Sequence, residues 1–243
     1  MNRLPREKRI QVLQLLVECV GIRSISRTLG IDPHTVLSLL ETAGRASATY
    51  HDLHVRNVAA ENVQADEIHS FIYAKSGNLR DAKSPPPEAG DVYTWVAIDT
   101  DTKLVISYLT GGRGSAEGRM FMRDLASRIS NRIQLTTDEY TVYPPAVKEA
   151  FGGNVDFEFG DATNSFVERQ NLTIRTHIKR FARRTNAHSK KLENHVYAVN
   201  IHFLHYNWVR IHQTIRCTPA MEAGLTKELH DYEWLLDVIE RYG

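Results

Sequence analysis

Three acidic residues at separate places in the sequence have the chemistry of a metal site. Asp66 lies within the apolar run 65–73, and Asp138 directly follows the strand-like run 133–137. Glu168 lies at the start of a long basic segment. Carboxylate oxygens are the ligands that Mg²⁺ prefers, and a pair of such ions suits in-line displacement at a phosphoryl group. If the fold brings the three acids together, they predict a site for two Mg²⁺ ions, with Mn²⁺ as the substitute, that acts on a phosphodiester.

The segment that follows Glu168 predicts a nucleic-acid partner. The chain of 243 residues has a formal net charge of only +1, but residues 169–191 contain eight basic residues and no acidic one. Binding to a polyanion depends on such local concentrations of charge more than on the net charge. A solvated basic helix face is the alternative. The residues of this segment that we predict to contact DNA are Arg169, Arg175, Lys179, Arg180, Arg183 and Arg184.

The chain from residue 63 onward alternates between strand-like and helix-like patterns. Strands are predicted over 63–73, 93–99, 104–109, 133–138 and 155–159, and helices over 115–129, over 144–151 and from 165 onward. This order matches an RNase H-like α/β fold with a mixed five-stranded sheet. In that arrangement Asp66 lies at the middle of the first strand and Asp138 at the end of the fourth strand beside it. Glu168, on the last helix, faces both.

Two neighbouring features offer alternative interpretations. Asp99 ends the second strand and could replace Asp66, although residues 100–103 make it resemble a turn residue. The glycine-rich run 111–114 could cradle a phosphate, but it lacks the Gly-Lys-Ser/Thr ending of a P-loop. We therefore interpret this run as the turn between a strand and a helix.

Residues 5–43 predict three short helices. Gly30 supplies a tight turn, and Asp32 followed by Pro33 is typical of a helix start. This spacing resembles a helix-turn-helix, in which the last helix enters the major groove of DNA. A small helical module for protein contacts is the alternative. The residues that we predict to face DNA are Arg23, His34, Thr35 and Ser38.

The remaining segments complete the predicted organisation. Residues 45–62 are small and polar with little periodicity, which indicates a linker. Apolar residues at helical spacing follow residue 191 and predict a packing seam, although His202 and His205 have a spacing that could bind zinc. The predicted divisions are a helix-turn-helix domain over 1–44, a linker over 45–62, an RNase H-like catalytic domain over 63–190 and a C-terminal helical extension over 191–243.

Composition excludes several classes of protein. Cys19 and Cys217 are the only cysteines, so the chain has no disulfide framework and no four-thiolate zinc site. No apolar run approaches the roughly 20 residues of a membrane span, and we see no signal peptide. We expect a cytoplasmic, nucleoid-associated protein of a bacterium or archaeon.

Two motifs in the second half of the chain resemble those of bacterial insertion-sequence DDE transposases. The first is Asn164-x-x-Val167-Glu168-Arg169-x-Asn171-x-x-Ile174-Arg175, which continues as Lys179-Arg180-x-x-Arg183-x-Thr185. The second is His205-Tyr206-Asn207-Trp208-x-Arg210-x-His212-x-Thr214, followed by Thr218-Pro219-Ala220-x-x-Ala223-Gly224-Leu225. Over about residues 63–226 the chain resembles the family of the first-described insertion sequence, insertion sequence one.

This resemblance implies a function and a set of site residues. Asp66, Asp138 and Glu168 would form the catalytic triad, with Asp66 bridging two Mg²⁺ ions. The enzyme would hydrolyse a phosphodiester at the transposon end, and the freed 3′-OH would attack target DNA. Catalysis at both transposon ends implies a homodimer or a larger homo-oligomer. A DNA-binding regulator with a vestigial site, or a nuclease without strand transfer, are the alternatives.

Overall fold

The centre of the molecule is one mixed β-sheet. A computed structural model describes residues 4–18, 20–160, 167, 169, 172, 181 and 188–243 of the chain. Within these residues the strands are β1 (Asn62–Ile72), β2 (Gly90–Asp99), β3 (Val105–Gly111), β4 (Ile133–Thr137) and β5 (Val155–Phe159). Their order in the sheet is β3-β2-β1-β4-β5. β1, β2 and β3 pair antiparallel, whereas β4 is parallel to both β1 and β5. The predicted mixed five-stranded sheet is confirmed.

β1 is central, so both of its faces are covered. Ala65 belongs to one buried cluster, which also contains Trp95 of β2. Ile68, three residues later, belongs to a different cluster together with Val96 of β2 and Phe203. Successive side chains of a strand point to opposite faces, so the two clusters lie on opposite sides of the sheet.

Helices cover the two faces of the sheet. The Trp95 side is covered by α4 (Ser115–Arg128) and α5 (Tyr143–Phe151), and the Val96 side by α6 (Leu192–Trp208). Tyr206 and Trp208 are buried, which places them in the core rather than on a surface where bases could stack. His205 Nε2 lies 3.0 Å from the hydroxyl of Tyr232. The short helix α7 (Pro219–Glu222) and the helix α8 (Tyr232–Tyr242) follow, and a 3₁₀ turn spans Ser76–Asp81.

The N-terminal segment forms three helices, as predicted, but the third is much longer than expected. They are α1 (Arg6–Val17), α2 (Ile22–Leu29) and α3 (Pro33–His54). Gly30 has a left-handed φ of 63° after α2, and the Asp32 side chain accepts a hydrogen bond from the backbone N–H of His34 at 2.8 Å. These features are the turn and the helix cap that the sequence indicated.

The prediction of a linker over 45–62 is wrong, because α3 continues through residue 54. The predicted domain boundary at residue 44 falls inside this helix. Ala46, Ser47 and Tyr50 are buried along this helix. Beyond its end, the Arg128 guanidinium of α4 donates to the carbonyl of Val55 at 3.0 Å. The segment is a packed part of the fold.

Small residues let α3 approach α6 closely. A Cβ added to Gly44 would lie 2.4 Å from the Cβ of Tyr197. The Asn200 side chain donates to the Gly44 carbonyl at 3.0 Å. Gly44, the residue directly before the predicted linker, therefore permits this helix contact.

The N-terminal helices also contact the C-terminal end of the chain. Arg6 of α1 pairs with Glu233 at 2.9 Å and with Asp237 at 2.6 Å. Arg9 pairs with Glu240 of the same helix, α8. The first and last helices are thus joined by ion pairs at the surface, and Leu13 and Leu235 of these helices also belong to the buried cluster that contains Trp95. None of the helices described has the length and apolar character needed to cross a bilayer.

Candidate active site

Asp66 lies where β1 extends beyond the end of its neighbour. Ala65 is the last residue of β1 that pairs with β4, opposite Thr137. Asp66 follows immediately, on the face of the sheet that Ile68 occupies, and it is half-buried. Its Oδ1 accepts a hydrogen bond from the backbone N–H of Glu67 at 2.7 Å. The strand register therefore sets the position of this carboxylate.

Asp138 lies beside it because the two strands are parallel. It directly follows Thr137, the last residue of β4 and the partner of Ala65. Its Oδ1 accepts from the backbone N–H of Tyr140 at 3.1 Å, a local turn of the kind that aspartates favour. Carboxylate oxygens of Asp66, Asp138 and Glu67 all lie within 4.8 Å of one another. Among the residues that the structure describes, this is the cluster of acidic, histidine or cysteine side chains with the geometry to hold a metal ion.

Glu67 is the member of this cluster that the sequence did not predict. Its side chain is 1% exposed, and it points to the Trp95 side of the sheet. Tyr143 of α5 donates its hydroxyl hydrogen to Oε2 at 2.8 Å, and Arg113 donates from Nε to Oε1 at 2.7 Å. Burial raises the pKa of Glu67 above its usual value, although both hydrogen bonds act in the opposite direction. A buried strand acid followed much later by an arginine is too weak a pattern to find this pair in a sequence.

Arg113 is held on several sides. It lies in the turn between β3 and α4, as the interpretation of residues 111–114 predicted. Its Cζ is 4.2 Å from the ring centroid of Tyr140 and 5.3 Å from that of Tyr93. The Tyr140 hydroxyl also donates to the Arg113 carbonyl oxygen. Both the backbone and the guanidinium of Arg113 are therefore positioned by the residues around the acidic cluster.

Asp99, the alternative to Asp66, is the last residue of β2, and its side chain bonds to the hairpin turn that leads to β3. It is 1% exposed and accepts hydrogen bonds from the Thr102 hydroxyl at 2.6 Å and from the Asp101 backbone N–H at 3.0 Å. Burial raises its pKa. Its partner on β1 is Val63, three residues before Asp66. Asp99 therefore has the turn role that the sequence favoured.

The third predicted acid, Glu168, lies outside the described residues, as do Arg175, Lys179, Arg180, Arg183 and Arg184. Val167, the residue before Glu168, is buried, and its backbone N–H donates to Gln64 Oε1 at 3.1 Å. Gln64 lies two positions before Asp66 and thus on the same face of β1. The residue after it, Arg169, is exposed.

The predicted DNA-facing residues of the N-terminal helices all lie on the surface. Arg23 is exposed on α2. His34, Thr35 and Ser38 are exposed in the first turns of α3. Their contact with DNA stays a prediction.

Solved structures share this architecture. The chain is similar to a chain of the simian T-cell lymphotropic virus intasome in complex with PP2A regulatory subunit B56 gamma. The identity is 14% and the TM-score 0.50, with 88% of this chain and 74% of that chain covered. This similarity supports the RNase H-like fold alone.

Two Mos1 structures align more loosely. The Mos1 Strand Transfer Complex gives 14% identity and a TM-score of 0.29, covering 84% of this chain and 76% of that chain. The Mos1 transposase paired-end complex with left transposon end gives 12% identity and a TM-score of 0.32, covering 84% of this chain and 77% of that chain. These TM-scores are too low to support an argument.

Similarity of sequence identifies the family. No curated protein matches the chain significantly. The pattern of the IS1 transposase family matches residues 87–209, just over half of the chain. The matched segment contains Asp138, Glu168 and the basic residues that follow, whereas Asp66 lies before it. The chain belongs to the IS1 transposase family, a family of DDE transposases.

Proposed function

We propose that this protein binds the ends of its own mobile element, hydrolyses one phosphodiester at each end and joins the freed 3′-OH to target DNA. The observation that carries the proposal is the convergence of the Asp66 and Asp138 carboxylates at the C-terminal end of β4, in a member of the IS1 transposase family. Such a transposase would act on nucleoid DNA in the cytoplasm of a bacterium or archaeon.

The two aspartates fit a divalent cation. Oxygen ligands of one Mg²⁺ lie about 2.0–2.1 Å from the ion, so opposite ligands are roughly 4 Å apart. Carboxylate oxygens of Asp66 and Asp138 lie within 4.8 Å of each other, which is close to that span. We assign Asp66, Asp138 and Glu168 as the ligands of two Mg²⁺ ions, or of Mn²⁺ in their place. When bound, the ions would stabilise the charge that develops on the attacking and leaving oxygens of the phosphoryl group.

The chain itself orients the two aspartates. Each has one oxygen bonded to a backbone N–H, at Glu67 for Asp66 and at Tyr140 for Asp138. These bonds restrict the side-chain rotamers of the two aspartates. The carboxylates are thus arranged before DNA arrives, which lowers the cost of assembling the site.

Glu168 is proposed as the third ligand on sequence and neighbourhood. It follows Val167, whose backbone is bonded to Gln64 on the Asp66 face of β1. Its position in the family motif supports the same role. Glu67 is not assigned as a ligand because both of its oxygens accept hydrogen bonds from Tyr143 and Arg113.

DNA would be held at two places. The surface residues of the N-terminal helices would read the element's end, with α3 entering the major groove. The basic residues from Arg169 to Arg184 would contact phosphates near the site. Because two ends must be processed together, we propose a homodimer or a larger homo-oligomer.

The test is incubation of the protein with duplexes carrying the flanking terminal repeats and Mg²⁺, with the products resolved by strand. We expect a break at the element's end that leaves a 3′-OH, followed by a joined product with target DNA. Binding without cleavage would indicate a regulator with a vestigial site. Cleavage without a joined product would indicate a nuclease.

A further inference from the structure

Arg113 has more support around it than a surface arginine needs. Its Nε donates to Glu67 Oε1 at 2.7 Å, and its Nη2 lies 2.5 Å from the same oxygen. The Tyr140 and Tyr93 rings flank the guanidinium, and cation–π contacts of this kind hold a guanidinium plane in place. Yet 42% of the side chain is exposed. The arrangement fixes a cation at the surface instead of burying it.

The same contacts tie Arg113 to both aspartates. Glu67, which accepts its hydrogen bond, is the residue whose backbone N–H holds the Asp66 carboxylate. Tyr140, which stacks on the guanidinium, holds Asp138 through its own backbone N–H. One residue therefore links the guanidinium to each aspartate of the candidate metal site, Glu67 to Asp66 and Tyr140 to Asp138.

The guanidinium keeps donors for another acceptor. Arginine has five N–H donors, and the bonds to Glu67 use at most two of them. The backbone at the start of α4 is less suited to an anion, because the Glu117 carboxylate already accepts from the Gly114 N–H at 3.2 Å. Arg113 is thus the group in this turn that an anion would meet.

We propose that Arg113 binds a phosphate of the DNA strand that enters the acidic site, at a nucleotide next to the scissile one. The fork geometry of arginine matches phosphate as well as carboxylate, and phosphate is the anion that DNA supplies. Glu67, Tyr140 and Tyr93 would position the fork, and Arg113 would place the strand relative to Asp66 and Asp138. This inference rests on the proposed function.

A purely structural role makes a different prediction. Glu67 is almost completely buried, and removal of its only cationic partner among the described residues would leave a buried charge and destabilise the fold. Arg113→Gln alone therefore confuses folding with DNA binding. The double variant Glu67→Gln/Arg113→Gln removes both charges, so its stability should match that of Glu67→Gln, which is the reference protein.

The experiment measures end-duplex binding by these two proteins over a range of salt concentrations. A set of duplexes carries one neutral methylphosphonate at a time along the cleaved strand. A matched control is Arg132→Gln/Asp156→Asn, an arginine–carboxylate pair at the start of β4, the end of that strand away from Asp138. Thermal unfolding of each protein is recorded in parallel.

We expect the double variant to bind about ten- to a hundredfold more weakly than Glu67→Gln, with a log–log salt slope smaller by about 0.9. A methylphosphonate at one position should weaken DNA binding by Glu67→Gln and leave DNA binding by the double variant unchanged. This loss of sensitivity indicates a direct contact between Arg113 and that phosphate. The control pair should keep the wild-type slope. Equal slopes and equal methylphosphonate profiles would show that Arg113 serves Glu67 alone.

A second variant covers the case in which the double variant unfolds. Arg113→Lys retains a cation beside Glu67 but loses the planar fork. We expect the methylphosphonate at that position to weaken DNA binding by Arg113→Lys less than it weakens binding by wild type. A methylphosphonate profile equal to that of wild type would overturn the inference. Wild-type protein that binds end DNA without cleaving it would contradict the proposed function instead.

Discussion

Asp66 and Glu67 are neighbours on β1, but their side chains lie on opposite faces of the strand and in different environments. The Asp66 face contains Ile68, Val96 and Phe203, and its acid lies half-buried beyond the end of β4. The Glu67 face is packed by α4 and α5, and its acid is buried and bonded to Tyr143 and Arg113.

Under the proposed function, one strand would supply both a metal ligand and its support. A carboxylate that binds a cation must keep an oxygen accessible, whereas a buried carboxylate must be neutralised by its partners. Register decides which role each acid has, because a slip of one residue would exchange the two faces. The predictions below test this division.

The largest expected effect is the loss of end cleavage when a proposed metal ligand is changed. Asp66→Asn or Asp138→Asn should lower end cleavage by at least about a thousandfold, because each removes a ligand charge at nearly constant shape. Glu168→Gln should do the same. DNA binding measured by gel shift should persist in all three.

Glu67→Gln is the matched control for those variants. It should retain measurable cleavage, since it removes the charge of a supporting residue. Loss of cleavage as complete as in Asp66→Asn would place Glu67 among the ligands and erase the difference between the faces.

The next effect tests whether the basic residues that follow Glu168 in the sequence bind DNA. Neutralising Arg175, Lys179 and Arg180 together should reduce the salt slope of duplex binding by up to about 2.7, because each phosphate that the protein no longer neutralises lowers the slope by about 0.9. Cleavage at saturating DNA should also slow. The control neutralises Arg119, Arg123 and Lys148 on α4 and α5, where the slope should not change. A reduced slope with undiminished cleavage would mean that the first set binds flanking DNA away from the site.

A smaller effect concerns the support of Glu67. Tyr143→Phe removes the hydroxyl that donates to Oε2 at 2.8 Å and leaves a buried acceptor with one partner fewer. We expect the free energy of unfolding to fall by about 1–3 kcal/mol in denaturant titrations. Tyr232→Phe, which removes a half-buried hydroxyl near His205, should cost less. Equal losses would show that Glu67 does not depend on this bond.

The smallest effect is a pH dependence of stability. Burial raises the pKa of Glu67, so the folded protein binds this proton more tightly than the unfolded chain does. The resulting stability is present below the ordinary glutamate pKa of about 4.3 and is lost as pH rises through the raised value. The stability of wild type relative to Glu67→Gln should therefore decrease with rising pH. A difference that stays constant, or that grows in favour of wild type, would contradict this.

Much of the sheet can be predicted from the sequence because alternation and turn residues mark its strands. β5 matches its predicted bounds of 155–159, and the parallel pair β1 and β4 brings Asp66 and Asp138 together as the RNase H-like order requires. Alternation and turn residues are local signals, and they are sufficient for these elements.

The rest depends on contacts between distant parts of the chain. The length of α3 does not follow from the sequence because Ala46 and Ser47 are small, and small residues indicate a linker unless the partner helix is known. The Glu67–Arg113 pair joins residues 46 positions apart, and nothing near either residue indicates the other. Tertiary packing determines both features.

Direct measurement of metal binding tests the central claim, that Asp66 and Asp138 hold the ions and Glu67 does not. Mn²⁺ binding to the protein–end DNA complex can be followed by calorimetry or by the electron paramagnetic resonance of the free ion. We predict that Asp66→Asn and Asp138→Asn lose or strongly weaken sites that wild type and Glu67→Gln retain. Wild-type binding by Asp66→Asn, or the loss of the same sites in Glu67→Gln, would contradict the account.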